Sequence, residues 1–152
     1  AGAGANIALA CDIVVASEKA SFIQAFSKIG LVPDSAGSFF LPRLIGFQKA
    51  SALMLLGDKV SAAQAQDLGM IYKVFPPETF HQEAHSLALH MAQLPTKALG
   101  LTKKLLNASF NNTLEQQLAL ESKLQIQAAN SNDYKEGVSA FVEKRKPNFK
   151  GN

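Results

Sequence analysis

The chain has 152 residues, of which 47% are hydrophobic and 18% charged, and its formal net charge is +3 with a pI of about 9.0. This composition excludes a generally disordered chain, and the length suffices for a core that buries roughly two thirds of the unfolded surface. Asp12 interrupts the longest apolar run, residues 7–16, so we expect no membrane span, and we expect no secretory leader. The single cysteine, Cys11, excludes an internal disulfide framework and indicates a reducing compartment, and we expect a cytoplasmic location.

The first half of the chain alternates short strands and helices that are separated by glycines. Apolar residues at helical spacing predict helices, β-branched runs predict buried strands, and glycine or proline predicts turns. These patterns predict helices at residues 5–10, 38–44, 47–56 and 61–68, strands at 12–16, 21–23 and 70–75, and a loop of defined shape at 29–37. Ser61 is placed to cap the last of these helices.

The second half is almost entirely helical, with predicted helices at residues 77–93, 96–109, 114–129 and 133–144. Thr113, followed three residues later by Gln116, resembles a capping box. The helix that follows carries a broad apolar stripe, which packs either on a partner subunit or on the chain's own sheet, and both alternatives stay open. We therefore expect an α/β part at 1–76 and a helical part at 77–152.

Three patterns that often carry chemistry are not expected to do so here. His81 and His85 have the spacing of zinc ligands, but Glu83 is displaced by one position from the place where a glutamate would act on metal-bound water, so no metal site is expected. The segment Gly2-Ala3-Gly4 lacks the third glycine of a dinucleotide fingerprint. The only tight basic cluster, Lys144-Arg145-Lys146, is more typical of a solvated helix end than of a nucleic-acid interface.

The segment Gly30-Leu31-Val32-Pro33-Asp34-Ser35-Ala36-Gly37 is the most informative part of the sequence. Pro33 fixes one backbone angle, and Asp34 follows it just before a predicted helix. One interpretation is that the Asp34 carboxylate caps that helix. The alternative is a carboxylate held at the mouth of a pocket, facing an oxyanion site.

Several short motifs occur in the order and spacing of a known enzyme family. They are Gly2-Ala3-Gly4-Ala5-Asn6, Ala10-Cys11-Asp12-Ile13, Gly30-Leu31-Val32-Pro33, Leu44-Ile45-Gly46, Gly57-Asp58-Lys59-Val60-Ser61-Ala62, Gly69-Met70 and Ala140-Phe141-Val142-Glu143-Lys144-Arg145. Together they resemble the crotonase (enoyl-CoA hydratase/isomerase) superfamily over essentially the whole chain. Residues 33–38 are most similar to the isomerases of phenylacetate degradation, which act on an epoxidised phenylacetyl-CoA.

The resemblance implies an α/β fold, namely the C-terminal turns of the crotonase spiral at 1–76, followed by a helical trimerisation region at 77–152. It implies that the Ala3 N–H is one oxyanion-hole donor and that Asp34 is the catalytic base of an acyl-CoA isomerase. The hydratases' two glutamates are replaced by Asn6 and Phe26, which argues against hydration, and these two residues with Ile29 are expected to bind the substrate. No cofactor is expected, because coenzyme A is part of the substrate.

The resemblance also implies that Phe141 and Lys144 contact coenzyme A bound to a neighbouring subunit, in a homotrimer or a dimer of trimers. The second oxyanion donor comes from the family's N-terminal half, so we expect the 152-residue chain to be inactive alone. The alternatives are a Δ3,Δ2-enoyl-CoA isomerase, an enoyl-CoA hydratase-like protein, and a non-catalytic helical interaction module at 77–144. Rare family members bind RNA, but the modest net charge argues against nucleic acid as a partner, and no membrane partner is expected.

Overall fold

The computed structural model describes residues 1–152 and divides the chain into two compact units, Ala1–Ala84 and His85–Asn152. The boundary falls inside a helix, Phe80–Ala92. None of the helices combines the length and the apolar character needed to cross a membrane. The domain boundary that the sequence predicts, after residue 76, stays a prediction.

The first unit consists of short strands and helices. In chain order they are α1 (Ala3–Leu9), β1 (Val15–Ser17), β2 (Ser21–Ile23), a 3-10 helix (Ala25–Ile29), α2 (Gly37–Ile45), α3 (Phe47–Leu56), β3 (Lys59–Ser61), α4 (Ala62–Asp67) and β4 (Lys73–Phe75). Strand β1 pairs with β4 in parallel, with Ala16 opposite Val74, and β2 pairs with β3 antiparallel, with Phe22 opposite Val60. Leu41 on α2 is completely buried in the apolar core that these elements enclose.

Helix α3 and strand β2 have the bounds that the sequence predicts, but the predicted strands at 12–16 and 70–75 begin too early, since β1 begins at Val15 and β4 at Lys73. The main-chain N–H groups of Met70 and Ile71 donate to the Ala65 carbonyl at 2.8 and 3.4 Å, so they cannot join a sheet. The parallel ladder therefore begins only at Lys73, opposite Val15. Apolar character alone does not indicate which backbone groups are already paired.

The second unit contains α6 (Thr96–Ser109), α7 (Leu114–Ala129) and α8 (Asn132–Glu143), and α5 (Phe80–Ala92) enters it from the first. The capping box of Thr113 and Gln116 is confirmed, since each side chain accepts the main-chain N–H of the other. Helix α7 packs on α6 and on α8, and Leu124 is its only buried residue. Its apolar stripe is otherwise exposed, as at Leu114, Leu118 and Ile126.

Candidate functional site

The N-terminal end of α1 presents a main-chain donor that nothing in the chain uses. Gly2 is the N-cap with a φ of +53°, a conformation that favours glycine, and its own N–H donates to the Ile23 carbonyl at 2.9 Å. No side chain caps the helix, and the Ala3 N–H, which opens the first turn, has no acceptor. This helix start can therefore stabilise a negative charge that lies close to its N–H groups.

Asp34 lies on the exposed loop before α2, and the loop ends in a strained turn. Ser35 and Ala36 have φ values of +47° and +59°, which non-glycine residues adopt at an energetic cost. The N-cap of α2 is Ala36, and no side chain caps the helix. The interpretation of Asp34 as a helix cap is therefore wrong, because its carboxylate does not reach the N–H groups of α2.

The Asp34 loop is tied to α1 by a buried pair of amide side chains. Asn6 Nδ2 donates to the Asp34 main-chain carbonyl at 2.9 Å, and Gln24 Nε2 donates to Asn6 Oδ1 at 2.7 Å. Asn6 is 0% exposed and Gln24 3% exposed. The Asp34 loop is thus hydrogen-bonded to α1 at Asn6, three residues after Ala3, where the helix begins. Sequence analysis missed Gln24, whose only signal is a polar residue among apolar neighbours.

The remaining residues predicted to bind the substrate have different environments. Phe26 is buried, and its ring lies against Gly2, 3.6 Å from where a Cβ of that residue would be. Ile29 is 73% exposed at the end of the 3-10 helix. Asn6 has no exposed surface at all. The substrate-binding roles of these three residues stay predictions.

Phe141 and Lys144 lie at the C-terminal end of α8, in the second unit. Phe141 is 85% exposed, which leaves its ring free to contact another molecule. Lys144 ends the helix in the left-handed conformation, with a φ of +55°. The neighbouring Arg145 is occupied, since its guanidinium forms a bidentate pair with the Glu136 carboxylate and also contacts Glu143.

The Arg145–Glu136 pair fixes the charge state at this helix end. The Arg145 guanidinium, with a further hydrogen bond from the Asn148 N–H, lowers the pKa of Glu136 to about 2. In turn, the Glu136 and Glu143 carboxylates raise the pKa of Arg145. Arg145, the central residue of the basic cluster, is thus paired with carboxylates of its own unit.

The last residues of the chain fold back on α8. The buried Asp133 accepts the main-chain N–H groups of Lys150 and Gly151 at 2.7 and 2.8 Å, and the ring of Phe149 lies over Gly137. These contacts form one wall of an apolar groove of about 470 Å³, which also includes Phe141. No group of three or more His, Cys, Asp or Glu residues is arranged to hold a metal ion.

The chain is similar in sequence to known proteins of one enzyme family. The profile of the enoyl-CoA hydratase/isomerase family matches residues 1–152. The chain is 50% identical to the 1,2-epoxyphenylacetyl-CoA isomerase of Escherichia coli (strain K12), covering 99% of this chain and 58% of that protein. It is 44% identical to a probable enoyl-CoA hydratase of Rhodobacter capsulatus, covering 99% of this chain and 59% of the relative.

Solved structures agree with this comparison. A putative enoyl-CoA hydratase/isomerase from Mycobacterium abscessus superimposes with a TM-score of 0.96 at 39% identity, over 99% of this chain and 58% of that one. An enoyl-CoA hydratase subunit from Geobacillus kaustophilus superimposes with a TM-score of 0.95 at 36% identity, over 99% and 59%. The chain therefore spans somewhat more than half the length of these relatives, and the predicted fold class, a C-terminal part of the crotonase fold, is confirmed.

Proposed function

This chain belongs to the enoyl-CoA hydratase/isomerase family, and we propose that, in the complete protein, it carries the acid–base group of an acyl-CoA isomerase. The observation that carries the proposal is the pairing of two groups in the first unit. An exposed carboxylate, Asp34, sits on a loop that is hydrogen-bonded to the same helix whose first N–H, at Ala3, is unused. These are the two groups that proton transfer next to a thioester requires.

In the proposed mechanism, Asp34 removes a proton from the carbon next to the thioester carbonyl. The electron pair of the broken C–H bond moves into an enolate, whose oxygen accepts a hydrogen bond from the Ala3 N–H. Protonated Asp34 then returns the proton at another carbon, so the double bond moves and the enzyme is regenerated. Removing one oxyanion donor from an enzyme typically lowers kcat by about 10²–10³-fold.

The acyl group that we propose is an epoxidised phenylacetyl unit, whose epoxide is rearranged to an oxepin with no change in composition. The proposal rests on the 50% identity to the Escherichia coli protein, whose name describes such a substrate. A Δ3,Δ2-enoyl-CoA substrate would use the same two groups and is the second candidate.

Hydration is a less suitable reaction for this chain, although one relative is named a probable hydratase. Hydratases of the family hold water between two glutamates, and the resemblance puts Asn6 and Phe26 at those positions. The Asn6 amide is fully committed to Asp34 and Gln24, and Phe26 offers only an apolar ring. With no second carboxylate there, water would lack a general base besides Asp34.

We further propose that Phe141 and Lys144 bind the coenzyme A moiety of a substrate held mainly by a neighbouring subunit. Exposure of the Phe141 ring and of the apolar stripe on α7 supports such an assembly, a homotrimer or a dimer of trimers. The protein would act in the cytoplasm without a dissociable cofactor. The second oxyanion donor would lie outside these 152 residues, so the chain alone is expected to be inactive.

The test is Asp34→Asn in the complete protein, assayed with 1,2-epoxyphenylacetyl-CoA, a Δ3-enoyl-CoA and a trans-2-enoyl-CoA. We expect a fall in isomerase kcat of about 10²–10⁴-fold, because a general base contributes on this scale, with ligand affinity retained. Asp58→Asn, which removes another exposed carboxylate of the same unit, serves as the matched control and should keep full activity. Retained isomerisation in Asp34→Asn, or hydration as the dominant wild-type reaction, would contradict the proposal.

A further inference from the structure

The main-chain carbonyl of Asp34 accepts two hydrogen bonds from two different elements. The Gly37 N–H donates to it at 2.9 Å, which closes the turn, and Asn6 Nδ2 donates at 2.9 Å from α1. The first bond is local and the second spans 28 positions in the sequence. Of these two hydrogen bonds, only that of Asn6 links the turn to α1.

The orientation of the Asn6 amide is determined by its partners. With the NH2 group towards the Asp34 carbonyl, Oδ1 faces Gln24 and accepts its Nε2 at 2.7 Å. Reversing either amide would place oxygen against oxygen or NH2 against NH2. Gln24 Oε1 is buried and has no partner, which is unfavourable. Reversing the Gln24 amide would not remove this cost, because Oε1 would then face Asn6 Oδ1 and Nε2 would lose its acceptor.

The turn that receives this bond does not rest in a relaxed conformation. Ser35 and Ala36, directly after Asp34, both have positive φ, so the backbone at this point persists only if its surroundings hold it. Gly37 is buried against the Asn6 amide so closely that a Cβ there would overlap it. The amide thus both supports the turn through a hydrogen bond and packs against its last residue.

We propose that Asn6, oriented by Gln24, is a positioning residue that sets the Asp34 carboxylate relative to the oxyanion donor at Ala3. This inference rests on the proposed function and deepens it, since it assigns Asn6 a role through Asp34 and not through the substrate. The side chain is 0% exposed, and additional chain or ligand could only cover it further. The Asn6 amide, three residues after Ala3, links α1 directly to the main chain of Asp34.

Asn6→Ala, Gly37→Ala and the double variant separate positioning from packing in the complete protein. Gly37→Ala alone forces its methyl group into the Asn6 amide, and Asn6→Ala alone leaves a cavity, so each single variant should lower Tm by roughly 5 °C. In the double variant the methyl group occupies the vacated space, so Tm should recover the part of the loss that comes from the overlap and the cavity, while the buried Gln24 amide stays without its Asn6 partner. The Asp34 carbonyl nevertheless loses its side-chain donor in the two variants that lack Asn6, and in Gly37→Ala the new methyl group displaces that donor.

We therefore expect kcat to fall by roughly 10- to 100-fold in all three variants, as for a catalytic group displaced by about 1 Å, while KM stays within about threefold. A double variant that regains both Tm and kcat would overturn the inference, because Asn6 would then act only by filling space. Gln24→Met removes the orienting donor and keeps Asn6, and it should lower kcat by roughly 3- to 10-fold. Unchanged kcat in Gln24→Met would mean that Gln24 has no orienting role.

Gln117→Met is the matched control, because Gln117 forms a similar amide pair with Asn112 in the second unit. It should lower Tm and leave kcat unchanged. Hydrogen exchange at the Gly37 N–H tests the same inference without any turnover, and exchange should accelerate at least tenfold in Asn6→Ala, which keeps Gly37. If the wild-type protein isomerises no acyl-CoA, the proposed function fails, whereas unchanged exchange at Gly37 would refute the positioning role of Asn6.

Discussion

The carboxylate of Asp133 holds the end of the chain against α8, and its replacement by an amide should release that segment. Asp133 is 4% exposed and accepts the Lys150 and Gly151 N–H groups through its two oxygens. The carbonyl of Asn152 accepts in turn from the Asn132 N–H at 3.0 Å. In Asp133→Asn, one oxygen becomes an NH2 group that faces an N–H donor, and the negative charge is lost.

The magnitude follows from these two bonds. A hydrogen bond to a charged group contributes about 1.5–3 kcal/mol, and an acidic side chain in the first turn of a helix adds about 0.3–1 kcal/mol. With one bond lost and the other weakened, we expect the free energy of unfolding to fall by about 3 kcal/mol. For a chain of this length that corresponds to a decrease in Tm of roughly 6–12 °C.

Glu115→Gln provides the comparison, because Glu115 is the second residue of α7 just as Asp133 is the second residue of α8. It loses the same interaction with a helix terminus but no contact with the C-terminal segment, so its cost should be only about 0.3–1 kcal/mol. Thermal unfolding measures the difference, and faster hydrogen exchange at Lys150 and Gly151 in Asp133→Asn locates it. Equal stability losses in the two variants, to within about 0.5 kcal/mol, would refute the argument.

Two further predictions concern the end of α8. The pKa of Glu136 is lowered from 4.5 to about 2, so its stabilising effect is complete above pH 4.5 and is lost as the pH falls towards 2. The Tm difference between the wild type and Glu136→Gln should shrink over that range, and a difference independent of pH would contradict this. Lys144→Gly should raise stability by about 0.5–1 kcal/mol, because glycine relieves the positive φ, yet weaken acyl-CoA binding in the complete protein. Lys144→Gln keeps the backbone cost, so equal stability of the two variants would count against the strain.

The helices of the second unit could be predicted from the sequence because the patterns that indicate them lie within a few consecutive residues. The bounds of α6 and α7 follow from apolar spacing together with a capping box that lies within four consecutive residues, Thr113 to Gln116. Strand β3 (Lys59–Ser61) has no such signal. It has one buried residue, Val60, and exists because β2 lies alongside it. Strand β3 is therefore defined by a partner that is distant in sequence.

The candidate site likewise combines residues that the sequence could identify with contacts between distant residues that it could not. Family resemblance predicts that Asp34 and Ala3 act as a pair, and in the structure Asn6 ties the Asp34 loop to the helix that begins at Ala3. The resemblance also puts Asn6 at a position where hydratases carry a glutamate, and for that reason Asn6 is expected to contact the substrate. In this structure the buried amide instead faces the Asp34 carbonyl 28 residues away and Gln24 18 residues away.

A carboxylate in place of the Asn6 amide could not make these bonds, because an ionised carboxylate only accepts and the Asp34 carbonyl needs a donor. Changing the residue type at this one position therefore changes two properties together. Under the proposed function, it removes a general base suited to water, and it supplies a donor that holds the main chain of Asp34. If this coupling holds, Asn6→Asp should not create a hydratase, because the new carboxylate would be buried, would repel the Asp34 carbonyl and would displace the base on which both reactions depend.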